Sequence, residues 1–123
     1  MHYRRMTGDQ ERGVTAQTIL TIRLLRKAMF PSEIFDEFAW NMLLVLFVEL
    51  AANEVVTEAK LIARADVSLH AGRRWISHLI KDGQIADRQD EDDVILTPRA
   101  ISQLRDFLDQ ARVIGEHSLL PAA

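Results

Sequence analysis

The residues of this chain best suited to specific chemistry lie between Ser68 and Gly83, in the run SLHAGRRWISHLIKDG. Polar and basic residues recur there at steps of three and four, which places them on one side of a predicted helix. They are His70, Arg73, Arg74, Ser77 and Lys81. An arginine can donate two hydrogen bonds to guanine O6 and N7, and a short helix with such a face fits the major groove of DNA. The pattern predicts a recognition helix over 68–82, with Arg73 and Arg74 as the best candidates for base contacts.

The other side of this segment predicts that the helix packs against a core. Apolar residues and one glycine repeat there at helical spacing, and they are Leu69, Gly72, Ile76, Leu79 and Ile80. Ser68 is a predicted N-cap, and Gly83 stands where a helix end is expected. An ordinary amphipathic helix with a solvated polar face would show the same two sides. The segments before and after it are needed to choose between the two interpretations.

The segment upstream of the predicted recognition helix has the form of the first half of a helix-turn-helix. Thr57 is a predicted cap for a two-turn helix over 58–64. The connector 65–67 then has the length that a helix-turn-helix needs between its two helices.

The segment downstream predicts a hairpin followed by a further helix. Residues 85–88 and 94–97 are β-prone and flank the polar turn 89–93. Thr97 and Pro98 then suit the cap and the first position of another helix. The predicted fold class is therefore mainly α with a small β-hairpin wing (α+β), a winged helix-turn-helix.

Further residues are placed for contacts with DNA phosphates. Thr57 and Ser68 stand at helix starts, where free backbone N–H groups favour anions. Lys60, Lys81 and Arg88 would add positive charge near the backbone of the duplex.

Three short runs resemble the winged-helix regulators of the MarR type, and most of all their compact alphaproteobacterial members. They are FAWNMLL at 38–44, RWI at 74–76 and LTPRA at 96–100. The resemblance covers roughly residues 30 to 110 and implies a homodimeric, sequence-specific transcription regulator that binds double-stranded DNA. It assigns the recognition-helix role to Ser68, His70, Arg73, Arg74 and Ser77.

The resemblance also assigns a wing to 88–93, and here the sequence departs from the family pattern. Such wings usually hold glycine and arginine near the tip, whereas 89–93 reads QDEDD. DNA phosphates would repel these four carboxylates. MarR-like relatives often bind a small aromatic or phenolic effector near the dimer interface, and no residue pattern in this chain identifies such a pocket.

The terminal segments are expected to build a dimer. The helix predicted over 14–30 is apolar over a wide face, and terminal helices form the dimer interface in MarR-like proteins. Burial within the same chain is the competing interpretation of that face. The expected organisation is a flexible basic arm at 1–13, a DNA-binding domain with dimerisation helices at 14–112, and a tail at 113–123.

The composition of the chain excludes several other classes of protein. The chain has 123 residues, of which 48% are hydrophobic and 27% charged, which fits one globular domain. It has no cysteine, no apolar run long enough for a membrane span and no basic-then-apolar start typical of a signal peptide, so we expect a cytoplasmic protein. Phosphate-binding loops, nucleophile motifs and metal-ligand spacings are missing from the sequence, so we expect no enzyme activity, no cofactor and no metal.

The distribution of charge is compatible with a local DNA footprint on an acidic protein. The net charge is −3, yet residues 1–30 hold six Arg or Lys against two acids, and 60–88 hold six against three. By contrast, 31–56 holds five acids and no base. This acidic segment and the acidic turn favour a second hypothesis, a winged-helix adaptor for protein–protein contacts that has lost DNA binding.

Overall fold

The computed structural model describes residues 7–31, 37–88 and 93–119. Within these ranges five α-helices follow one another along the chain. They are α1 (Asp9–Met29), α2 (Glu37–Ala51), α3 (Glu58–Ala65), α4 (Leu69–Lys81) and α5 (Pro98–Leu119). The described residues form two compact units, one containing those up to Pro31 and from Asp106 onward, the other those between them.

The second unit is built on three helices, α2, α3 and α4, which pack against one another in pairs. Within it α2 contacts both other helices and buries Ala39, Met42, Leu43 and Leu46. Among the described residues, the largest fully buried side chains all belong to this unit, and they are Met42, Leu43, Leu61, Leu79, Ile85 and Leu104.

The predicted β-hairpin wing is wrong. The described residues contain helices and no strand, so the fold is all-helical there and the mainly α part of the prediction is confirmed. The segments predicted as strands contribute one single antiparallel bridge, Ile85 with Leu96, and a second bridge joins the helix cap Thr57 to Asp93, the last residue of the predicted turn. The rest of that turn, 89–92, lies outside the described residues.

Backbone hydrogen bonds in the described part of these segments form a single bridge on each side of residues 93–97. The amide of Ala86 donates to the carbonyl of Ile95 (2.8 Å) and that of Thr97 to the carbonyl of Gln84 (3.0 Å), whereas Val94 N–H donates to the carbonyl of Val56 (2.8 Å). Residues 93–97 thus hydrogen-bond to two neighbours, as a central strand does. Neither pairing continues for the several residues that a ladder requires.

Helix starts agree with the sequence better than helix lengths do. Thr57 and Ser68 cap α3 and α4, and Pro98 begins α5, all as predicted. However, α1 begins at Asp9, so 9–13, which were predicted as part of a flexible arm, are helical. Residues 1–6 of that arm lie outside the described residues. In the same way α5 continues to Leu119, into the predicted tail.

The first unit contains α1 and the second half of α5. The rings of Phe30 and Phe107 meet edge to face with centroids 6.3 Å apart, and both residues are buried. Beside them, Gln110 Nε2 donates to Met29 Sδ at 3.7 Å. None of the helices in the described ranges is both long enough and apolar enough to cross a bilayer.

Candidate nucleic-acid interface

The turn between α3 and α4 is fixed by two side-chain caps and one left-handed residue. Thr57 Oγ1 accepts from Lys60 N–H (3.2 Å), and Ser68 Oγ accepts from Ala71 N–H (3.1 Å), so each helix start satisfies one otherwise free donor. Between the helices Asp66 adopts φ 56° and ψ 47°, a conformation that aspartate tolerates better than most residues. This short connector sets the direction in which α4 leaves α3.

The end of α4 is joined to the start of α5. Gly83 has φ 77°, a left-handed conformation that ends the helix, as its position in the sequence predicts. Thr97 Oγ1 donates to the carbonyl of Gly83 (2.7 Å) and accepts from Ala100 N–H (3.1 Å). The guanidinium of Arg99 donates to the carbonyl of Asp82 (2.6 Å). Both ends of α4 are therefore held by hydrogen bonds, which makes its outer face a defined surface.

The outer face of α4 carries every polar residue that the sequence assigns to it. The exposed residues on this face are His70, Arg73, Arg74, Ser77 and Lys81. The opposite side buries Gly72, Ile76 and Leu79, with Ile80 partly exposed. The prediction of Leu69 as a buried residue is wrong, because this first residue of the helix is 52% exposed.

The two arginines on this face have different surroundings. Arg73 Nε lies 3.4 Å from Glu58 Oε1 at the start of α3, with 62% of the Arg73 side chain exposed. Arg74 is exposed and makes no ion pair with any residue that the structure describes. It stands at the edge of a shallow groove beside Phe38 and Trp75. Neither guanidinium is buried, so both are accessible to a ligand.

Arg88 belongs to the same charge cluster. Its Nη2 lies 3.9 Å from Glu58 Oε2, so the two oxygens of one carboxylate face two different arginines. The Arg88 side chain is only 16% exposed and that of Glu58 only 21%. Arg88 therefore offers little of its side chain to a phosphate.

Lys60 is held by a second carboxylate. Glu49 on α2 accepts from Lys60 Nζ at 3.1 Å through Oε2 and from Arg64 Nη1 through Oε1. The Glu49 side chain is 11% exposed, whereas both cations remain well exposed. This pairing ties α3 to α2, and it neutralises part of the positive charge that Lys60 was predicted to bring to DNA.

Sequence reasoning missed both carboxylates. Glu49 gives a usable signal, since one acid within the apolar run of α2 has to find a cation if that helix is central. Glu58 gives none, because its partners lie on other elements and nothing local marks the pairing. The predicted residues of α3 and α4 do come together on one unit, and Thr57 and Ser68 are exposed at the two helix starts.

Two other features complete the described surface. A cavity of about 190 Å³ lies beside the Thr57–Asp93 bridge and is lined mostly by apolar side chains, among them Leu46, Val56 and Ile101. In the described ranges no group of three or more His, Asp or Glu residues is arranged to hold a metal ion.

The fold is similar to two solved structures. One is BpsR of Bordetella bronchiseptica, a protein whose DNA binding is regulated by 6-hydroxynicotinic acid; the identity is 14%, the TM-score 0.53, and the match covers 100% of this chain and 87% of that one. The other is RV1404 from Mycobacterium tuberculosis, at 13% identity and a TM-score of 0.59, covering 94% of this chain and 80% of that one. No protein-family model matches the sequence, and no curated protein does. The chain thus shares its fold with these proteins, and at this identity the similarity shows the fold alone.

Proposed function

We propose that this protein is a sequence-specific, DNA-binding transcription regulator that acts as a homodimer, with α4 as its recognition helix. One observation carries the proposal: the polar side of α4 is exposed as a set, while Gly72, Ile76 and Leu79 anchor the opposite side in the core. A helix anchored in this way can place its polar side chains in a DNA major groove while its apolar side stays packed in the core.

The chemistry of that surface supports DNA more than a protein partner. Arg73 and Arg74 can each contact guanine through two nitrogens, and His70 and Ser77 lie beside them for further contacts with base edges. Lys81 at the end of the helix adds a cation for a phosphate. BpsR, which shares the fold, is itself a DNA-binding protein, and this agrees with the proposal.

The proposal of a homodimer is supported by the exposed apolar surface of α1. This helix exposes large apolar side chains on several sides, among them Ile19, Leu20 and Leu24, at exposed fractions of 50%, 53% and 68%. Contiguous exposed apolar residues are typical of an interaction surface. A dimer would bury them and place two copies of α4 on one pseudo-palindromic site.

Control by a small aromatic molecule is a further part of the proposal. It draws on the effector of BpsR and on the apolar cavity near Thr57, whose volume of about 190 Å³ exceeds that of a cavity able to hold benzene, about 150 Å³. Adding 6-hydroxynicotinic acid to a preformed protein–duplex complex and following its dissociation tests this part.

Titration of labelled random duplex DNA at low ionic strength, repeated as salt is raised, tests the central proposal. A regulator of this kind binds random duplex at low salt, and the logarithm of its affinity falls linearly with the logarithm of salt concentration. Selection from a random library should then yield a preferred duplex. A chain that ignores duplex DNA even at low salt would overturn the proposal and favour the protein–protein adaptor.

A further inference from the structure

The carboxylate of Glu58 is an unexpected group on a surface proposed to face DNA. It lies at the first turn of α3, and its side chain is 21% exposed. An acid near phosphates lowers the affinity for any duplex, whatever its sequence. Because Glu58 would lower the affinity for DNA in this way, we expect it to make a favourable contribution to the same site.

The contacts of Glu58 indicate that role. Its Oε1 lies 3.4 Å from Arg73 Nε, the nitrogen nearest the aliphatic part of that side chain. Its Oε2 lies 3.9 Å from Arg88 Nη2, and the Arg88 side chain is only 16% exposed, so a second, largely buried cation faces the same carboxylate. Arg73 itself is 62% exposed and would otherwise sample many rotamers.

Building on the proposed function, we propose that Glu58 is a positioning residue that determines sequence specificity. It restricts the Arg73 guanidinium to one orientation before DNA arrives, so less conformational entropy is lost when Arg73 contacts a base. Arg74, which has no ion pair with a described residue, adapts to the duplex instead. The two adjacent arginines thus divide the recognition: Arg73 is preoriented by Glu58, and Arg74 is not.

The specificity ratio isolates this effect. It is the dissociation constant for a random-sequence duplex divided by the dissociation constant for a duplex that the wild-type protein selects from a random library. Loss of one carboxylate charge strengthens both complexes alike, so the charge effect cancels in the ratio. A loss of Arg73 orientation weakens only the selected complex, and the ratio falls.

We expect Glu58→Gln to lower this specificity ratio by about fivefold or more, within the range that one arginine–guanine contact provides. Glu54→Gln is the matched control, since it removes one exposed carboxylate elsewhere in the same unit and should leave the ratio unchanged. In an Arg73→Ala background Glu58→Gln should have no effect on the ratio, because the side chain that it positions is gone. A purely structural role for Glu58 would lower the ratio equally in both backgrounds.

Glu58→Asp covers the case in which Glu58→Gln fails to fold. It keeps the charge and withdraws the carboxylate by one methylene, so the ratio should again fall. A specificity ratio that is unchanged in whichever of these variants folds overturns the inference. So does an equal fall of the ratio in the wild-type and Arg73→Ala backgrounds. Failure of the wild-type protein to bind any duplex would instead overturn the proposed function, so the two failures can be told apart.

Discussion

Gly72 on α4 faces Ile62 on α3 so closely that a Cβ atom at Gly72 would lie 2.5 Å from Ile62 Cγ1 and 2.8 Å from its Cδ1. Both residues are buried. We therefore expect Gly72→Ala to destabilise the protein by up to about 2 kcal/mol, since overpacking costs about 1–3 kcal/mol while the better helix propensity of alanine returns about 1 kcal/mol. Urea denaturation, with the midpoint and slope fitted together, measures this loss.

Gly115 on α5 is the matched control for Gly72. A Cβ atom built there has no neighbour within 4 Å, so Gly115→Ala should raise stability through helix propensity alone, by up to about 1 kcal/mol. A second control is Gly72→Ala in an Ile62→Ala background, where the added methyl group enters vacated space and should cost much less. Equal effects at Gly72 and Gly115 would contradict the close approach of α3 and α4.

We expect Glu49 to contribute more to the free energy of unfolding than an exposed carboxylate does. Glu49→Gln keeps the shape of the side chain but leaves Lys60 and Arg64 without their shared anion. Because both cations are partly exposed and can be hydrated, we expect a loss of about 1–3 kcal/mol, below the 3–5 kcal/mol typical of a fully buried pair. Thermal and urea unfolding both measure it, and the exposed Glu54→Gln, within about 0.5 kcal/mol of wild type, is the control. A loss at Glu49 no larger than that at Glu54 would rule out the bridging role.

The parts of the fold that the sequence predicts correctly depend on neighbouring residues. Thr57, Ser68 and Thr97 each cap a helix with a hydroxyl that accepts from an amide three residues ahead. Gly83 ends α4 through its own backbone freedom. Such contacts follow from residue type and spacing alone, and so does the division of α4 into a buried and an exposed side.

The parts that it misses depend on partners distant in the chain. Val94 donates to Val56, a residue distant in the chain, and no local pattern marks this pairing. The carboxylates of Glu49 and Glu58 likewise find cations on other helices. The polar face of α4 was therefore predictable residue by residue, whereas the cation partners of Glu49 and Glu58 are identified only by the structure.

Arg74→Ala is expected to weaken binding to a selected duplex without affecting the fold. Arg74 is exposed and has no ion pair with the described residues, so its truncation removes a ligand contact and little else. The expected cost is about 1–3 kcal/mol for the selected duplex and less for a random one. Fluorescence anisotropy measures both, circular dichroism checks helix content, and Arg105→Ala, an exposed arginine on α5, is the charge-matched control. Equal affinities for Arg74→Ala and Arg105→Ala would remove Arg74 from the interface.

Leu24→Glu is expected to convert the proposed dimer to a monomer. Leu24 is 68% exposed and lies one turn of α1 from the exposed Leu20, so it belongs to the contiguous apolar surface of that helix. Burial of one leucine contributes about 1.5–3 kcal/mol, and a symmetric interface loses that contribution twice, so the dissociation constant should rise about 100-fold or more. Light scattering coupled to size-exclusion chromatography over a range of concentrations measures the change. Ile95→Glu, at a position 60% exposed in the other unit, introduces the same charge and should leave the mass unchanged. A wild-type protein that is monomeric at high concentration, or a dimer that tolerates glutamate at position 24, would show that α1 covers no partner chain.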